Sequence, residues 1–146
     1  MGAYSDFAKE LLNKHHLKAT TTRIKLIEII KTFKTAIPYT KIQEHFKDSD
    51  RITLYRTIQT LLKKEIIHKA LINKEETYYA LYENDTKDQT HSHNHVHFKC
   101  TVCNHVSCQY LYDKISVTLP NFTIDTMQIQ LTGICNLCTS KGNQQN

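Results

Sequence analysis

The chain has 146 residues, 40% of them hydrophobic, and a formal net charge of +5. A chain of this length forms one domain or two small ones, and this hydrophobic content excludes a disordered chain. No apolar run is long enough to cross a membrane. The first residues lack the basic and apolar regions of a signal peptide, so we expect a cytoplasmic protein with reduced cysteines.

The positive charge is concentrated in the first part of the chain. Residues 1–82 contain 15 Lys and Arg against 9 Asp and Glu, whereas residues 83–146 contain 4 against 5. Such a local excess favours a polyanion, such as nucleic acid, as the partner of the first part. Ordinary lysine-rich solubility is the alternative interpretation.

Helical periodicity runs through residues 4–64 and predicts four helices. Ser5 is expected to cap the first helix, and Thr40 the short third helix. The fourth helix is expected over about 51–64, after a polar turn. Its predicted apolar stripe comprises Ile52, Tyr55, Ile58, Leu61 and Leu62.

The periodicity then changes to that of β-strands. Residues 66–72 and 77–82 are rich in β-branched and aromatic residues, and they predict a hairpin across a polar turn at 73–76. Helices followed by a hairpin describe a winged helix-turn-helix, whose last helix enters the major groove of DNA. We therefore assign residues 1–82 to a winged-helix DNA-binding domain.

The rest of the chain predicts a linker, a second domain and a tail. Residues 83–92 are entirely polar and form the predicted linker. The second domain is expected over residues 93–138, and the polar tail at 139–146 is expected to be flexible. The predicted short strands of the second domain lie near 95–100, 105–110 and 122–132. The fold class is α+β, and a structural metal is a sensible way to hold so small a second domain together.

Four cysteines form two identical brackets. Cys100-x-x-Cys103 and Cys135-x-x-Cys138 each bring two thiolates within reach of one metal ion. Together they supply the Cys₄ set that a structural Zn²⁺ prefers. A pair of disulfides or redox-active CxxC motifs is the alternative interpretation.

Four short motifs follow one another along the chain. They are Leu17-Lys18-Ala19-Thr20 with Arg23, Thr53-Leu54-Tyr55-Arg56-Thr57-Ile58, His95-Val96-His97-Phe98-Lys99-Cys100 and Gly133-Ile134-Cys135-Asn136-Leu137-Cys138. In this order and spacing they resemble the ferric uptake regulator (Fur) family of bacterial metal-dependent repressors, over nearly the whole chain. The resemblance implies a homodimer, joined through a C-terminal α/β dimerisation domain, that binds a palindromic operator in double-stranded DNA. It also implies a corepressor metal that sets the angle between the two DNA-binding heads.

The resemblance also assigns roles to individual residues. The four bracket cysteines match the structural zinc positions of the family. Tyr55 and Arg56 match its DNA-contacting pair, and Lys18 matches a basic residue that the family inserts into the minor groove. Arg51 and Thr53, at the start of the fourth helix, are well placed for phosphate. The alternatives are a core aromatic for Tyr55 and a solvated side chain for Lys18.

A regulatory metal site is implied as well. His95 and His97 match the His-x-His ligands of the family, Cys108 stands where relatives have Glu or Asp, and His68 lies near an Asp ligand of zinc-sensing relatives. Three imidazoles and one thiolate suit Zn²⁺ better than Fe²⁺ or Mn²⁺. Alternative ligands are His91, His93 and His105. A surface position for His68 and a packing role for Cys108 also remain open.

These features predict a zinc-responsive transcriptional repressor that controls metal homeostasis, with an iron- or manganese-responsive repressor of the same family as the alternative. A zinc-dependent hydrolase is the alternative of a different class, because three histidines suit a catalytic zinc. However, the sequence has no H-E-x-x-H motif. Zinc storage or a chaperone role for the histidine run is a third possibility. We therefore expect a protein that is not an enzyme, and specific metal-dependent DNA binding would separate these classes.

Overall fold

The computed structural model describes residues 3–72, 75–82, 95–113, 115–125, 127 and 129–142, without the side chains of residues 71, 72 and 95. The chain divides into two compact units, Met1–Glu83 and Asn84–Asn146. The described part contains five helices and two three-stranded sheets, so the predicted α+β class is confirmed. The predicted linker, residues 83–92, lies outside the described residues.

Four helices occupy most of the first unit. They are α1 (Ala3–Lys14), α2 (Thr21–Phe33), α3 (Tyr39–His45) and α4 (Arg51–Lys63). The helix α2 begins where the Thr20 hydroxyl accepts a hydrogen bond from the Arg23 N–H, at 3.4 Å. The predicted cap at Ser5 is wrong, because α1 already begins at Ala3.

The predicted cap at Thr40 is also wrong, because Thr40 lies inside α3. The reason is a carboxylate from the neighbouring hairpin. Glu76 accepts hydrogen bonds from the Thr40 N–H at 3.1 Å and from the Thr40 hydroxyl at 2.9 Å. A side chain 36 residues away in sequence therefore serves the N-terminus of this helix, which local pattern does not reveal.

The sheet of the first unit contains the predicted hairpin and one extra strand. Its strands are β1 (Ile37–Pro38), β2 (Ile67–Ile72) and β3 (Thr77–Leu81), in the order β1-β3-β2 with antiparallel pairing. The hairpin register shifts between Lys69 and Leu71, as at a β-bulge. The sequence does not predict the strand β1, because Pro38 indicates an interruption of regular secondary structure. An edge strand tolerates proline, which has no N–H to donate.

A single apolar core holds these elements together. Its fully buried side chains include Leu12, Leu26, Ile27, Ile42, Leu61 and Ile67. The predicted stripe of α4 is partly wrong, because Ile52 and Tyr55 face outward with 59% and 60% of their surface exposed. The side chains of α4 that enter the core are those of Leu54, Ile58 and Leu61.

The second unit is built on a smaller sheet. Its strands are β4 (His95–Cys100), β5 (Val106–Tyr110) and β6 (Gln130–Gly133), in the order β5-β4-β6. The pair β4–β5 is antiparallel, and the pair β4–β6 is parallel. The predicted strand at 122–132 is therefore mostly wrong, since only its last residues belong to β6.

The end of the described chain also differs from the prediction. The segment predicted as a flexible tail contains the end of a helix, α5 (Asn136–Gly142), while residues 143–146 lie outside the described residues. A turn lies at Pro120–Asn121, with the Phe122 N–H donating to the Leu119 carbonyl at 3.3 Å.

Little of the described part of the second unit is buried. Among its described residues, the buried apolar side chains are those of Val96, Cys100 and Val106. A unit with so small a core depends on another source of stability, such as a metal or a partner. Among the described helices of the chain, none combines the length and the apolar character needed to cross a membrane.

Candidate functional site

The topology of the second unit brings the two cysteine brackets together. Parallel pairing aligns Cys100, the last residue of β4, with Gly133, the last residue of β6. Both strands therefore end at the same edge of the sheet. Cys103 follows in the turn after β4, and Cys135 and Cys138 lie just before and within the first turn of α5.

The four sulfur atoms of this cluster lie within 4.8 Å of one another. The Sγ atoms of Cys103 and Cys135 are 3.8 Å apart. Tetrahedral zinc with Zn–S bonds of about 2.3 Å separates its sulfur ligands by roughly 3.8 Å. The donor chemistry and the spacing therefore fit a zinc ion. All five cysteines are free, so the alternative of two disulfides is not realised in this structure.

Backbone groups favour the thiolate form of one ligand. The N–H groups of Cys103 and Cys135 are directed at the sulfur of Cys100 and lower the pKa of its thiol to about 6. The Cys135 N–H lies 3.4 Å from that sulfur. Conversely, a thiol hydrogen bond with Cys135 raises the pKa of Cys138 to about 12. A metal that needs thiolates displaces the remaining thiol protons on binding.

A second group of potential ligands lies on the same sheet. His97 of β4 and Cys108 of β5 face each other across the antiparallel ladder, and both are half-buried. A ring nitrogen of His97 and the Sγ atom of Cys108 lie within 4.8 Å of each other. Val96 points to the other face and is buried. One imidazole and one thiolate therefore share a face, as two ligands of one metal must.

The remaining predicted ligands belong to other segments of the chain. The backbone of His95 begins β4, but its side chain lies outside the described residues, as do His91 and His93. His105 is exposed in the turn before β5. His68 lies on β2 in the first unit, half-buried, with its ring centroid 4.6 Å from that of Tyr82.

The predicted DNA-contacting residues of the first unit are all exposed. Arg51, Tyr55 and Arg56 project from α4 on the side away from the core. The exposure of Tyr55 excludes its alternative role as a core aromatic. Lys18 lies in the turn between α1 and α2, where its carbonyl accepts a hydrogen bond from the Arg23 guanidinium at 2.8 Å. Arg23 therefore fixes the backbone that carries Lys18.

Comparison with solved structures places this architecture among known folds. A zinc uptake regulator complexed with zinc and DNA matches with a TM-score of 0.69 at 16% identity, over 95% of each chain. The holo form of a protein named XcZur matches with a TM-score of 0.69 at 14% identity, over 94% of this chain and 98% of that one. The Vibrio cholerae ferric uptake regulator matches with a TM-score of 0.55 at 17% identity, over 87% and 98%. No family model and no curated protein matches the chain.

The chain has the fold of the ferric uptake regulators. The resemblance that the sequence motifs indicate is therefore confirmed in the fold, across nearly the full length of the chain. The identities are only 14–17%, so the likeness lies in the fold. This fold brings both cysteine brackets into one cluster.

Within this ferric uptake regulator fold, one residue that shapes the α4 surface was not predicted. Asp50 caps α4, because its carboxylate accepts hydrogen bonds from the Thr53 N–H and hydroxyl, both at 2.9 Å. These bonds lower the pKa of Asp50. Both donors of Thr53 therefore serve the cap in this structure. The sequence carries a signal for this cap, because Asp is a preferred residue type at the position directly before a helix.

Proposed function

We propose that this protein is a metal-dependent, DNA-binding transcriptional repressor of the ferric uptake regulator family that controls metal homeostasis and responds to zinc. The observation that carries the proposal is the likeness, over 95% of both chains, to a zinc uptake regulator complexed with zinc and DNA. A repressor of this kind works on DNA in the cytoplasm and catalyses no reaction.

The first unit is the proposed DNA-binding domain, a winged helix-turn-helix. In this proposal α4 enters the major groove, and the β2–β3 hairpin is the wing. Tyr55 and Arg56 contact base edges or phosphate, Arg51 contacts phosphate, and Lys18 reaches the minor groove. Thr53 acts at the same helix start, through its bonds to the cap. The exposure of these side chains and the positive charge of residues 1–82 support this assignment.

The second unit is the proposed dimerisation domain. Several large apolar side chains of its described part are exposed, including Tyr110, Tyr112, Val117, Leu119, Phe122 and Leu137. Apolar surface of this extent on a small unit is typical of a protein–protein interface. A two-fold dimer presents two copies of α4 and therefore suits a palindromic operator.

The four-cysteine cluster is the proposed structural zinc site. Cys100, Cys103, Cys135 and Cys138 close a tetrahedral set with no open position, as structural zinc sites do. The site joins the end of β4 to the end of β6 and the start of α5. It thereby supplies the cohesion that the small core of this unit lacks.

The proposed regulatory metal is Zn²⁺, with ligands His68, His95, His97 and Cys108. The shared face of His97 and Cys108 supports this set, and three imidazoles with one thiolate match the preference of zinc. Ligands drawn from both units would restrict the spacing of the two DNA-binding heads when the metal is bound. An apo dimer that samples many spacings engages both half-sites less often, and its DNA affinity is lower.

The DNA-binding assignment is tested by Arg56→Ala in the full-length, zinc-loaded protein. We expect affinity for the operator to fall by roughly 1–3 kcal/mol, as for loss of a base-edge or phosphate contact. Wild-type affinity should itself fall steeply with salt concentration, because phosphate contacts release counterions. Fluorescence anisotropy with an operator selected from random DNA measures both effects.

A matched control removes the same charge from the second unit. Lys141→Ala alters an exposed cation of α5, and we expect its operator affinity to equal that of the wild type. Normal operator binding by Arg56→Ala would move the recognition surface away from α4. Equal losses in both variants would indicate general attraction to a polyanion rather than recognition by this helix.

A further inference from the structure

Ile52 occupies an unusual position on α4. Successive residues of an α-helix are rotated by about 100°, so Ile52 and Lys63 lie nearest to the direction opposite the buried Leu54, Thr57, Ile58 and Leu61, and Gln59 lies close to it. Tyr55 and Arg56 lie on either side of that line. Ile52 is therefore at the centre of the outward face, with 59% of its surface exposed.

This exposure is not explained by the packing of the first unit. The core is complete without Ile52, which is neither buried nor among the side chains packed against the core cluster. A β-branched apolar side chain at a central exposed helix position is unfavourable both for helix propensity and for hydration. Its neighbours one turn along the face are the exposed Tyr55 and Arg56, and Arg51 and Arg56 give the patch a positive charge.

An apolar centre flanked by positive charge matches the chemistry of the DNA major groove. The major groove presents phosphates on its rims and, on thymine alone among the four bases, a C5 methyl group on its floor. The centre of a docked helix face is the part that reaches the floor, while its flanks reach the rims. From Ile52 to Gln59 the face rises by about 10 Å, which is the length of roughly three base pairs.

We propose that Ile52 is a specificity-determining residue that selects thymine at one operator position by packing against its C5 methyl group. This inference rests on the proposed function, in which α4 enters the major groove. It adds a base-reading contact that is distinct from those of Tyr55 and Arg56, and it predicts which base the contact selects.

The test uses the zinc-loaded, full-length protein and the DNA sequences that it selects from a random pool. Each thymine of the selected site is then replaced in turn by deoxyuridine, which removes only the C5 methyl group. For one thymine in each half-site we expect wild-type affinity to fall roughly fourfold to tenfold. Ile52→Ala should bind the unmodified site more weakly and show no further loss at that thymine.

Two variants separate this contact from its surroundings. Tyr55→Phe keeps the aromatic ring and should leave the deoxyuridine effect at the Ile52 position unchanged. Phe33→Ala truncates an exposed apolar residue of α2 and should behave as the wild type at every position. Thermal unfolding of Ile52→Ala should match that of the wild type, because the side chain lies outside the core.

The outcomes are distinguishable. If Ile52→Ala remains as sensitive as the wild type to every deoxyuridine substitution, the proposed contact is wrong although the protein still recognises DNA. The same conclusion follows if Ile52→Ala selects the same operator with undiminished affinity. If the wild type selects no sequence from the pool, the proposed function itself fails.

Discussion

Replacing Cys135 with serine is expected to remove the zinc ion from the four-cysteine cluster, to unfold the second unit and to abolish the dimer. A hydroxyl is a poor substitute for a thiolate in a closed tetrahedral site. Cys135 also aligns two parts of the cluster, since its N–H contacts the Cys100 sulfur and its own sulfur lies 3.8 Å from that of Cys103. Serine keeps the backbone N–H, so the variant loses the fourth sulfur ligand and its position beside the Cys103 sulfur.

The size of this effect follows from the stability of small units. Structural zinc sites bind with apparent free energies of about 10–16 kcal/mol at neutral pH, and that binding energy is folding energy. A typical domain is stable by only about 5–15 kcal/mol in total. The described part of the second unit buries few apolar side chains. Hydrophobic burial therefore does not stabilise this unit enough to keep it folded without its metal.

The fifth cysteine provides a matched control. Cys108→Ser changes the same atom outside the cluster, and we expect it to retain the structural zinc and the dimer. Zinc content after treatment with a mild chelator, together with the mass by light scattering, measures both properties. A Cys135→Ser variant that stays dimeric and keeps a full complement of tightly bound zinc would show that the Cys₄ assignment is wrong.

Replacing His97 with alanine is expected to abolish the zinc response of DNA binding while leaving the fold, the dimer and the structural zinc intact. His97 is half-buried on β4, opposite Cys108, and the four-cysteine cluster does not include it. Loss of one proposed regulatory ligand therefore affects the second metal only. Stimulation by an effector typically amounts to roughly 5- to 150-fold in affinity, and the variant should lose all of it.

Related variants define the ligand set and the choice of metal. Cys108→Ser should weaken the zinc response, whereas Cys108→Asp should shift preference toward Mn²⁺ or Fe²⁺ by hardening the donor set. His105→Ala is the matched histidine control and should respond to zinc as the wild type does. Operator affinity is measured at buffered free zinc concentrations. A normal response in Cys108→Ser would make Cys108 a packing residue, and a lost response in His105→Ala would favour that alternative ligand.

The cysteine brackets illustrate what sequence alone provides. Their spacing predicts that each pair holds one metal, and this depends only on local geometry. Whether both pairs hold the same metal depends on where the strands end. In the structure, β4 pairs in parallel with β6, and this pairing aligns Cys100 with Gly133, 33 residues later in the sequence. The two cysteine pairs therefore meet in one cluster. Long-range pairing of this kind leaves no periodic signal in the sequence.

The face of α4 shows where pattern is ambiguous. Ile52, Tyr55 and Ile58 follow helical spacing, and so do Leu54, Ile58 and Leu61. Both sets are apolar, and only the packing of the other helices decides that the second set is buried. Helical spacing alone therefore assigns Ile52 to the apolar stripe of α4. An apolar residue on a binding surface has the same sequence signal as one in the interior.

Elements fixed by distant partners were the hardest to predict. The start of α3 depends on Glu76 of the hairpin, and β1 exists because Ile37 and Pro38 pair with β3. In the second unit, the described strand-like residues 122–125, 127 and 129 lie outside the sheet and include the exposed Phe122 and Ile124. Exposed apolar residues of a subunit interface resemble those of a buried strand when only the sequence is considered.

We propose that a metal controls the binding of DNA by this protein. The most direct measurement is operator affinity of the wild type, with its four-cysteine cluster loaded, titrated separately with Zn²⁺, Fe²⁺ and Mn²⁺ at buffered free concentrations. We expect zinc to raise the affinity, and to do so at a lower free concentration than either other metal. Activation by Fe²⁺ at a lower free concentration than Zn²⁺ would assign an iron sensor to this fold. An operator affinity that no metal changes would contradict the claim.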